Sequence, residues 1–270
     1  MSICDFDILF ARYVPNIHEK IFFSLDYESF KSCLEVSKSW NDLLKSESFI
    51  KRAETIFCQN IQDEVALAAK QGMVNKIRAV ISTFVVDVNF FEDAEGASPL
   101  IFAAERGHKD VVQLLLTSGA DPNLADEDGF TPLLDAVNDG HFEVAKLLLD
   151  YGADPNIANK VDGYVPLMYA SESGHEDIVH LLLDRGSDPN IADTMDGSTA
   201  LKAAVCQNNK HIAKLLLDRG ADPDIPDSHG MTPKEYALLN GDKGDEVIAL
   251  IIESYAMLDQ LSDVLSVREE

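Results

Sequence analysis

The sequence predicts an all-α solenoid of stacked helical hairpins, and three observations predict it. The string Gly-Ala-Asp-Pro-Asn, or a near copy, begins at Gly119, Gly152, Gly186 and Gly220, spaced 33, 34 and 34 residues apart. A second marker keeps step with it in Ser98-Pro-Leu, Thr131-Pro-Leu, Val165-Pro-Leu, Thr199-Ala-Leu and Thr232-Pro-Lys. Turn-forming residues follow the same division: all 15 Gly lie at Gly72 or beyond, and nine of the 10 Pro lie at Pro99 or beyond. A fixed period of this length marks a repeat architecture, in which one supersecondary unit stacks on the next to make a continuous core.

Each element has a local reason. Thr131 offers a hydroxyl to the free amides of a first turn, and Pro132 fills the position where a missing N–H costs nothing, so a helix starts there. Gly140 permits the left-handed residue that stops it. The apolar group Val144, Ala145, Leu147, Leu148 and Leu149 then forms a second helix ended by Gly152. One hairpin cannot bury both its faces, so the two ends of the stack must be specialised. Residues 62–89 keep Ala68-Ala69-x-x-Gly72 and Asp87-Val88-Asn89 but lack the Thr-Pro-Leu start, and the last unit carries two extra residues between Gly241 and Leu250-Ile251-Ile252. Four full repeats between two atypical ones are expected over residues 61–253, followed by an amphipathic tail over 254–270.

These residues resemble ankyrin repeats. The resemblance implies paired antiparallel helices joined by projecting hairpin tips, with partners recognised through the tips and the exposed positions of the first helices. The chain departs from the family at the His that usually follows Thr-Pro-Leu, where Ile101, Leu134, Met168 and Lys202 stand, so a polar link between hairpins is expected to be missing. Asn208 replaces the helix-ending Gly of the fourth full repeat and Ala200 replaces its Pro; Asn tolerates the left-handed region better than most residues.

Residues 1–60 read differently. Ile17, Ile21 and Leu25, then Phe30 and Leu34, then Val36, Trp40 and Leu43 or Leu44 fall at helical spacing and predict three short amphipathic helices. Val14-Pro15, the Ile21-Phe22-Leu25 face, the acidic turn at Asp26 and the Val36 to Trp40 spacing resemble an F-box. That resemblance implies docking on the Skp-type adaptor of a cullin-RING ubiquitin ligase through Val14, Pro15, Ile21, Phe22 and Leu25, leaving the repeats to bind the protein to be ubiquitinated. The other reading is an ankyrin-only scaffold or inhibitor whose N-terminal helices merely cap the stack. Neighbouring Phe22 and Phe23 exceed what a single buried face needs, which favours cover by another chain. No flexible linker separates the halves, so they are expected to abut.

Composition limits the function further. Net charge is −25, of which about −2 falls in residues 1–60 and −23 beyond, and such a surface repels phosphate backbones and anionic lipid heads. Nucleic acid and membrane are not expected as partners. Apolar runs are far shorter than the ~20 residues that span a bilayer, and the start Met-Ser-Ile-Cys-Asp-Phe-Asp lacks the bases of a signal peptide. Cys4, Cys33, Cys58 and Cys206 are scattered, which fits reduced thiols in the cytoplasm or nucleus.

Catalysis, cofactors and metal are not expected. His108, His141 and His175 each follow a helix-ending Gly at the repeat period, about 10 Å apart along a stack and too far to share an ion. Asp121, Asp154, Asp188 and Asp222 recur the same way and read as turn scaffold. Phosphate loops and nucleophile motifs are missing. Binding is the expected role. After the turn Gly of adjacent repeats stand Phe130 and Tyr164, at a position read as pointing outward where repeat packing needs no ring. Phe102 and Tyr169 extend the strip, Asp135 interrupts it, and Asp128, Asp135 and Asp139 surround it with negative charge. This concave strip suits a protein partner with apolar anchors and basic flanks.

Overall fold

The computed structural model describes residues 61–83, 86–91, 96–239 and 249–251. The chain divides into two compact units, Met1–Val65 and Ala66–Glu270. The expected F-box-like helices, with Val14, Pro15, Ile21, Phe22 and Leu25, and the tail over 254–270 lie outside the described residues.

The second unit is a double row of helices. Residues 61–70 are helical, followed by α1 (Val74–Thr83), α2 (Pro99–Glu105), α3 (Lys109–Thr117), α4 (Pro132–Asn138), α5 (Phe142–Asp150), α6 (Pro166–Ser173), α7 (Glu176–Asp184), α8 (Ala200–Cys206), α9 (Lys210–Asp218) and α10 (Pro233–Leu239). First helices α2, α4, α6, α8 and α10 pack side by side, second helices α1, α3, α5, α7 and α9 form the other row, and each of α2, α4, α6 and α8 also packs on its own second helix. Among the described residues there is no strand, only an isolated bridge between Ala192 and Thr199.

The caps act as the sequence predicts. The Ser98 hydroxyl accepts from the Ile101 amide at 3.3 Å, Thr131 from Leu134 at 3.2 Å and Thr199 from Lys202 at 3.3 Å. Val165 has no such oxygen and leaves its helix uncapped by a side chain. Asn208 takes the left-handed conformation at φ 54° in place of glycine.

Two devices tie repeat to repeat. The first explains Asp-Pro-Asn. Asp121, Asp154, Asp188 and Asp222 each accept from the amide two residues on at 2.9 Å. Asn89, Asn123, Asn156 and Asn190 then reach into the following repeat, donating Nδ2 to the carbonyls of Gly119, Gly152, Gly186 and Gly220 at 3.0–3.1 Å. Their Oδ1 atoms accept the amides of Asp121, Asp154, Asp188 and Asp222 at 2.7–2.9 Å. Each rung satisfies a donor and an acceptor at a helix end that would otherwise stay unpaired.

The second device is the histidine that opens three of the second helices, α3, α5 and α7. His108 Nε2 lies 3.2 Å from the Lys70 carbonyl and His141 Nε2 lies 2.9 Å from that of Glu105, so the imidazole closes the end of the preceding first helix. The ring needs space: a Cβ on Gly107, already at φ 70°, would stand 2.8 Å from the His141 ring. Glycine here serves both the turn and the histidine, and these histidines hold the repeats together.

The position where the family carries His requires a correction. Ile101, Leu134 and Met168 are buried there, so three interfaces replace a polar link by apolar packing. At Lys202 the polar link is rebuilt with different groups. Its ammonium lies 2.7 Å from Asp227 Oδ2 and 3.0 Å from Asp196 Oδ2, with side-chain exposures of 9% for Lys202 and 0% for Asp227. Tyr236 donates to the same Asp227 oxygen at 2.6 Å. Burial alone would lower the Lys202 pKa, but the bonds to Asp227 and Asp196 carry it above the ordinary lysine value.

Candidate partner-binding face

The hairpin tips are built around one buried or half-buried polar residue each. Asp126 Oδ1 accepts the Phe130 amide at 2.8 Å. Asn159 Oδ1 gathers the amides of Val161, Asp162 and Gly163 at 3.0–3.1 Å, and Asp193 does the same for Met195, Asp196 and Gly197 at 2.8–3.1 Å. Successive tips bond to each other, Lys160 donating its amide to the Asp128 carbonyl at 2.8 Å and Thr194 donating to that of Asp162 at 2.9 Å. The tips therefore form a continuous edge beside the first helices, with the residue that follows each turn Gly placed where edge and helix meet.

Three aromatic rings assemble there. Tyr169, on α6, lies between the residues that follow two turns. The Phe130 ring is tilted against it with centroids 6.4 Å apart, and Tyr164 meets it edge-on at 5.2 Å. Such pairs add to simple area burial. Tyr169 accepts from Asn159 Nδ2 at 3.0 Å, which fixes its hydroxyl toward the tip. All three rings are half-buried. The expectation that repeat packing does not engage the turn aromatics is thus corrected: Tyr164 and Tyr169 also pack on the core, while all three rings remain partly exposed. Phe102 does not extend the strip. It is buried, with the Lys70 ammonium 3.7 Å from its ring centre.

Acids surround the rings in three settings. Asp128 is exposed at a tip and Asp139 is exposed just after α4, accepting from Asn138 at 3.0 Å. Asp135 is half-buried between them. Burial, then the carboxylates of Asp126, Glu105 and Asp139, push its pKa up to about 7. Asp126 also rises above the ordinary value because burial outweighs its backbone donors. The phenols of Tyr164 and Tyr169 are pushed up to about 12 by burial and the acids around them, so both rings stay neutral donors.

The sequence reading missed Val161 and Met195. Each is the added residue of a tip one longer than Asp126–Gly129, and they stand 57% and 72% exposed at equivalent places on adjacent tips. The signal was the spacing, since consecutive turn glycines Gly129, Gly163 and Gly197 lie 34 apart while Asp126 and Asn159 lie 33 apart.

Among the described residues, a double row of hairpins with bonded tips and repeat-to-repeat ladders defines a helical-repeat protein. A family model of ankyrin repeats (3 copies) matches residues 65–159, 123–193 and 167–260, and the chain belongs to the ankyrin-repeat family. It is similar to "Ankyrin repeat protein nuc-2" of Neurospora crassa, at 34% identity over 61 residues. That match covers 23% of this chain and 6% of the relative. Among the described residues no helix is long and apolar enough to cross a membrane, and no cluster of His, Cys, Asp and Glu has the arrangement of a metal site.

Proposed function

We propose that the chain is a non-catalytic adaptor that captures a protein partner on the strip around Tyr169, with Phe130, Tyr164 and Tyr169 as anchors and Asp128, Asp135 and Asp139 as its acidic surround. The observation that carries this reading is the ring trio itself: three half-exposed aromatics stacked across two repeats where the family's register places contact residues. Rings of this kind supply hot-spot energy when a partner covers them, while exposed charges at the rim chiefly set association rate. The exposed Val161 and Met195 extend the contact along the tips.

The finer proposal is that residues 1–60 dock on a Skp-type adaptor, making the chain the substrate receptor of a cullin-RING ubiquitin ligase. Its support is the residue pattern at Val14, Pro15, Ile21, Phe22 and Leu25; no F-box domain is detected by family comparison. An ankyrin-only scaffold or inhibitor is the alternative, and both readings place the protein in the cytoplasm or nucleus.

One experiment addresses both levels. The full chain, a Val14→Ala/Pro15→Ala variant and a Phe130→Ala/Tyr164→Ala variant are used to capture proteins from a cell extract, and each is then assayed against purified Skp-type adaptor. The first variant should lose the adaptor and keep the other partner, and the second should do the reverse with an unchanged repeat fold by circular dichroism. A wild-type chain that fails to bind purified adaptor removes the ligase reading and leaves the scaffold.

A further inference from the structure

We propose that the strip is built to seat an arginine side chain of its protein partner, the guanidinium lying against the Phe130–Tyr169 ring pair and donating to the carboxylates of Asp126 and Asp135. The inference rests on the reading that this strip is the contact face.

The first ground is a missing countercharge. Other buried tip acids are fully provided for: Asp193 accepts three amides, and Asp227 has Lys202, Tyr236 and the amides of His229 and Met231. Asp135 has neither a hydrogen-bond donor nor a cation among the described residues, although Asp126, Glu105 and Asp139 all press on it. Its oxygens are not sealed in, because the one polar side-chain atom both fully enclosed and unpartnered among the described residues is Ser187 Oγ. A half-buried carboxylate that is unpaired yet reachable is costly to the free protein and strengthens any bond to an arriving cation.

The second ground is that the same fold performs this chemistry internally at the same register. Tyr236 is the repeat equivalent of Tyr169, and Asp227 of Asn159. There the Lys202 ammonium sits 4.7 Å from the Tyr236 ring centre while bound to two carboxylates. Two repeats earlier the ring is present, the uncharged Asn159 stands in place of Asp227, the acids Asp126 and Asp135 come from other positions of the preceding repeat, and no cation pairs with Asp135 among the described residues. Planarity favours arginine over lysine, since a guanidinium can lie flat on a ring while its edge donors serve two separate carboxylates. The acidic surface as a whole draws such a group in.

Seating the cation must ionise Asp135. The groups facing it are Asp126 from the tip, Glu105 from α2 with Arg106 beyond it at 3.4 Å, Asp139 from the end of α4, and Tyr169 from α6 with Glu172 one turn on; α5 turns Val144, Ala145 and Leu148 inward and leaves Glu143 and Lys146 exposed. With a midpoint near 7, arginine should bind about tenfold more tightly at pH 8 than at pH 6, releasing a fraction of a proton.

The test titrates the ¹³C-labelled full chain with acetyl-Gly-Arg-Gly-amide and follows the Asp135 carboxyl and the Phe130 and Tyr169 ring signals. The arginine peptide should shift all three and lower the Asp135 midpoint. Acetyl-Gly-Lys-Gly-amide should bind several-fold more weakly, and acetyl-Gly-Glu-Gly-amide should produce no change. Asp135→Asn should abolish the ring shifts, whereas Glu176→Gln, an equal charge change on the exposed side of α7, should leave them intact. Unmoved rings, a lysine peptide equal to arginine, or equal loss in the Glu176 variant each overturns the proposal. Failure here with the natural partner still lost on Phe130→Ala/Tyr164→Ala would leave the face standing and remove only its arginine; a seated peptide with a partner indifferent to those two rings would remove the face.

Discussion

Two regions of one repeat stack solve the same problem in opposite ways. Around Lys202 the chain buries one acid, Asp227, and leaves a second, Asp196, partly exposed, together with the cation and phenol that satisfy them. Around Asp135 it half-buries an acid among other acids and supplies no cation among the described residues. Both sites lie where a tip meets the first turn of a first helix, Lys202 and Tyr236 standing second and third after Ala200 and Pro233 and Asp135 and Tyr169 third after Pro132 and Pro166, so the two differ chiefly in side-chain chemistry. The difference separates holding the stack together from leaving something for a partner to complete. A paired charge at one end joins the fourth full repeat to the last unit, whereas an unpaired one in the middle costs stability that binding can return.

The largest expected effect comes from breaking the satisfied site. Lys202→Met should cost about 3–5 kcal/mol in urea unfolding, because it strands Asp227 without its cation in a dry place. Adding Asp227→Asn should recover part of that loss. The pH dependence follows from the carboxylates: Lys202, Tyr236 and the tip amides hold Asp227 well below the ordinary value, and Ser198 and Lys202 lower Asp196 to about 2. Depressed acids contribute stability that is complete above the unfolded value near 4 and disappears as pH falls through the folded values. Wild type should therefore weaken steeply below pH 4, and Lys202→Met should show a flatter acid limb. Equal stability of the variant at pH 7 would mean that the network is ornamental.

The middle site should respond with the opposite sign. Asp135 has a raised folded value, so its contribution to stability is greatest below the unfolded value near 4 and is lost as pH rises to about 7. Asp135→Asn removes that loss. The variant should be more stable than wild type by about 2 kcal/mol at pH 8, less than the full linkage value because the group is partly exposed, and indistinguishable from it near pH 4. Thermal melts of the two proteins at both pH values check this. A destabilised variant at pH 8 would show that Asp135 has a partner and that the contrast between the regions is false.

How far the sequence foretold these two regions differs as well. Helix starts at Ser98, Thr131 and Thr199, the left-handed Asn208 and the hairpin period were readable because each depends on residues a few positions apart. The aromatic strip was half readable. Register placed Phe130 and Tyr164 together with Tyr169 as an extension, but the central place of Tyr169 between them, the burial of Phe102 and the added residues Val161 and Met195 emerge only when tips meet helices. The Lys202 network was not readable. Its partners lie 6 and 25 residues away on two different tips, no other repeat carries the same set, and the family's histidine at that position suggested only that a polar group had been replaced. Periodicity reports what recurs, so a device present in one repeat leaves no mark in it. The histidines illustrate the converse: they recur at the repeat period, and the contacts of His108 and His141 with the Lys70 and Glu105 carbonyls give those two a connective task.

Between the two regions runs the asparagine ladder, and it provides the smallest effect and the sharpest control. Asn156 donates to Gly186 at 3.1 Å and accepts from Asp188 at 2.9 Å, but both bonds are exposed. Water replaces exposed bonds at little loss, so Asn156→Ala should cost about 1 kcal/mol, several times less than Lys202→Met. The rung and the ion pair join different pairs of neighbouring repeats, and in a stack stabilised by nearest-neighbour packing their effects should add to within about 0.5 kcal/mol. A double variant far weaker than that sum would mean that strain passes along the ladder from the last repeats into the binding strip. The two regions would then be parts of one coupled device, and partner binding at Phe130 and Tyr164 should weaken in Lys202→Met as well; additivity would leave the strip's affinity unchanged in that variant.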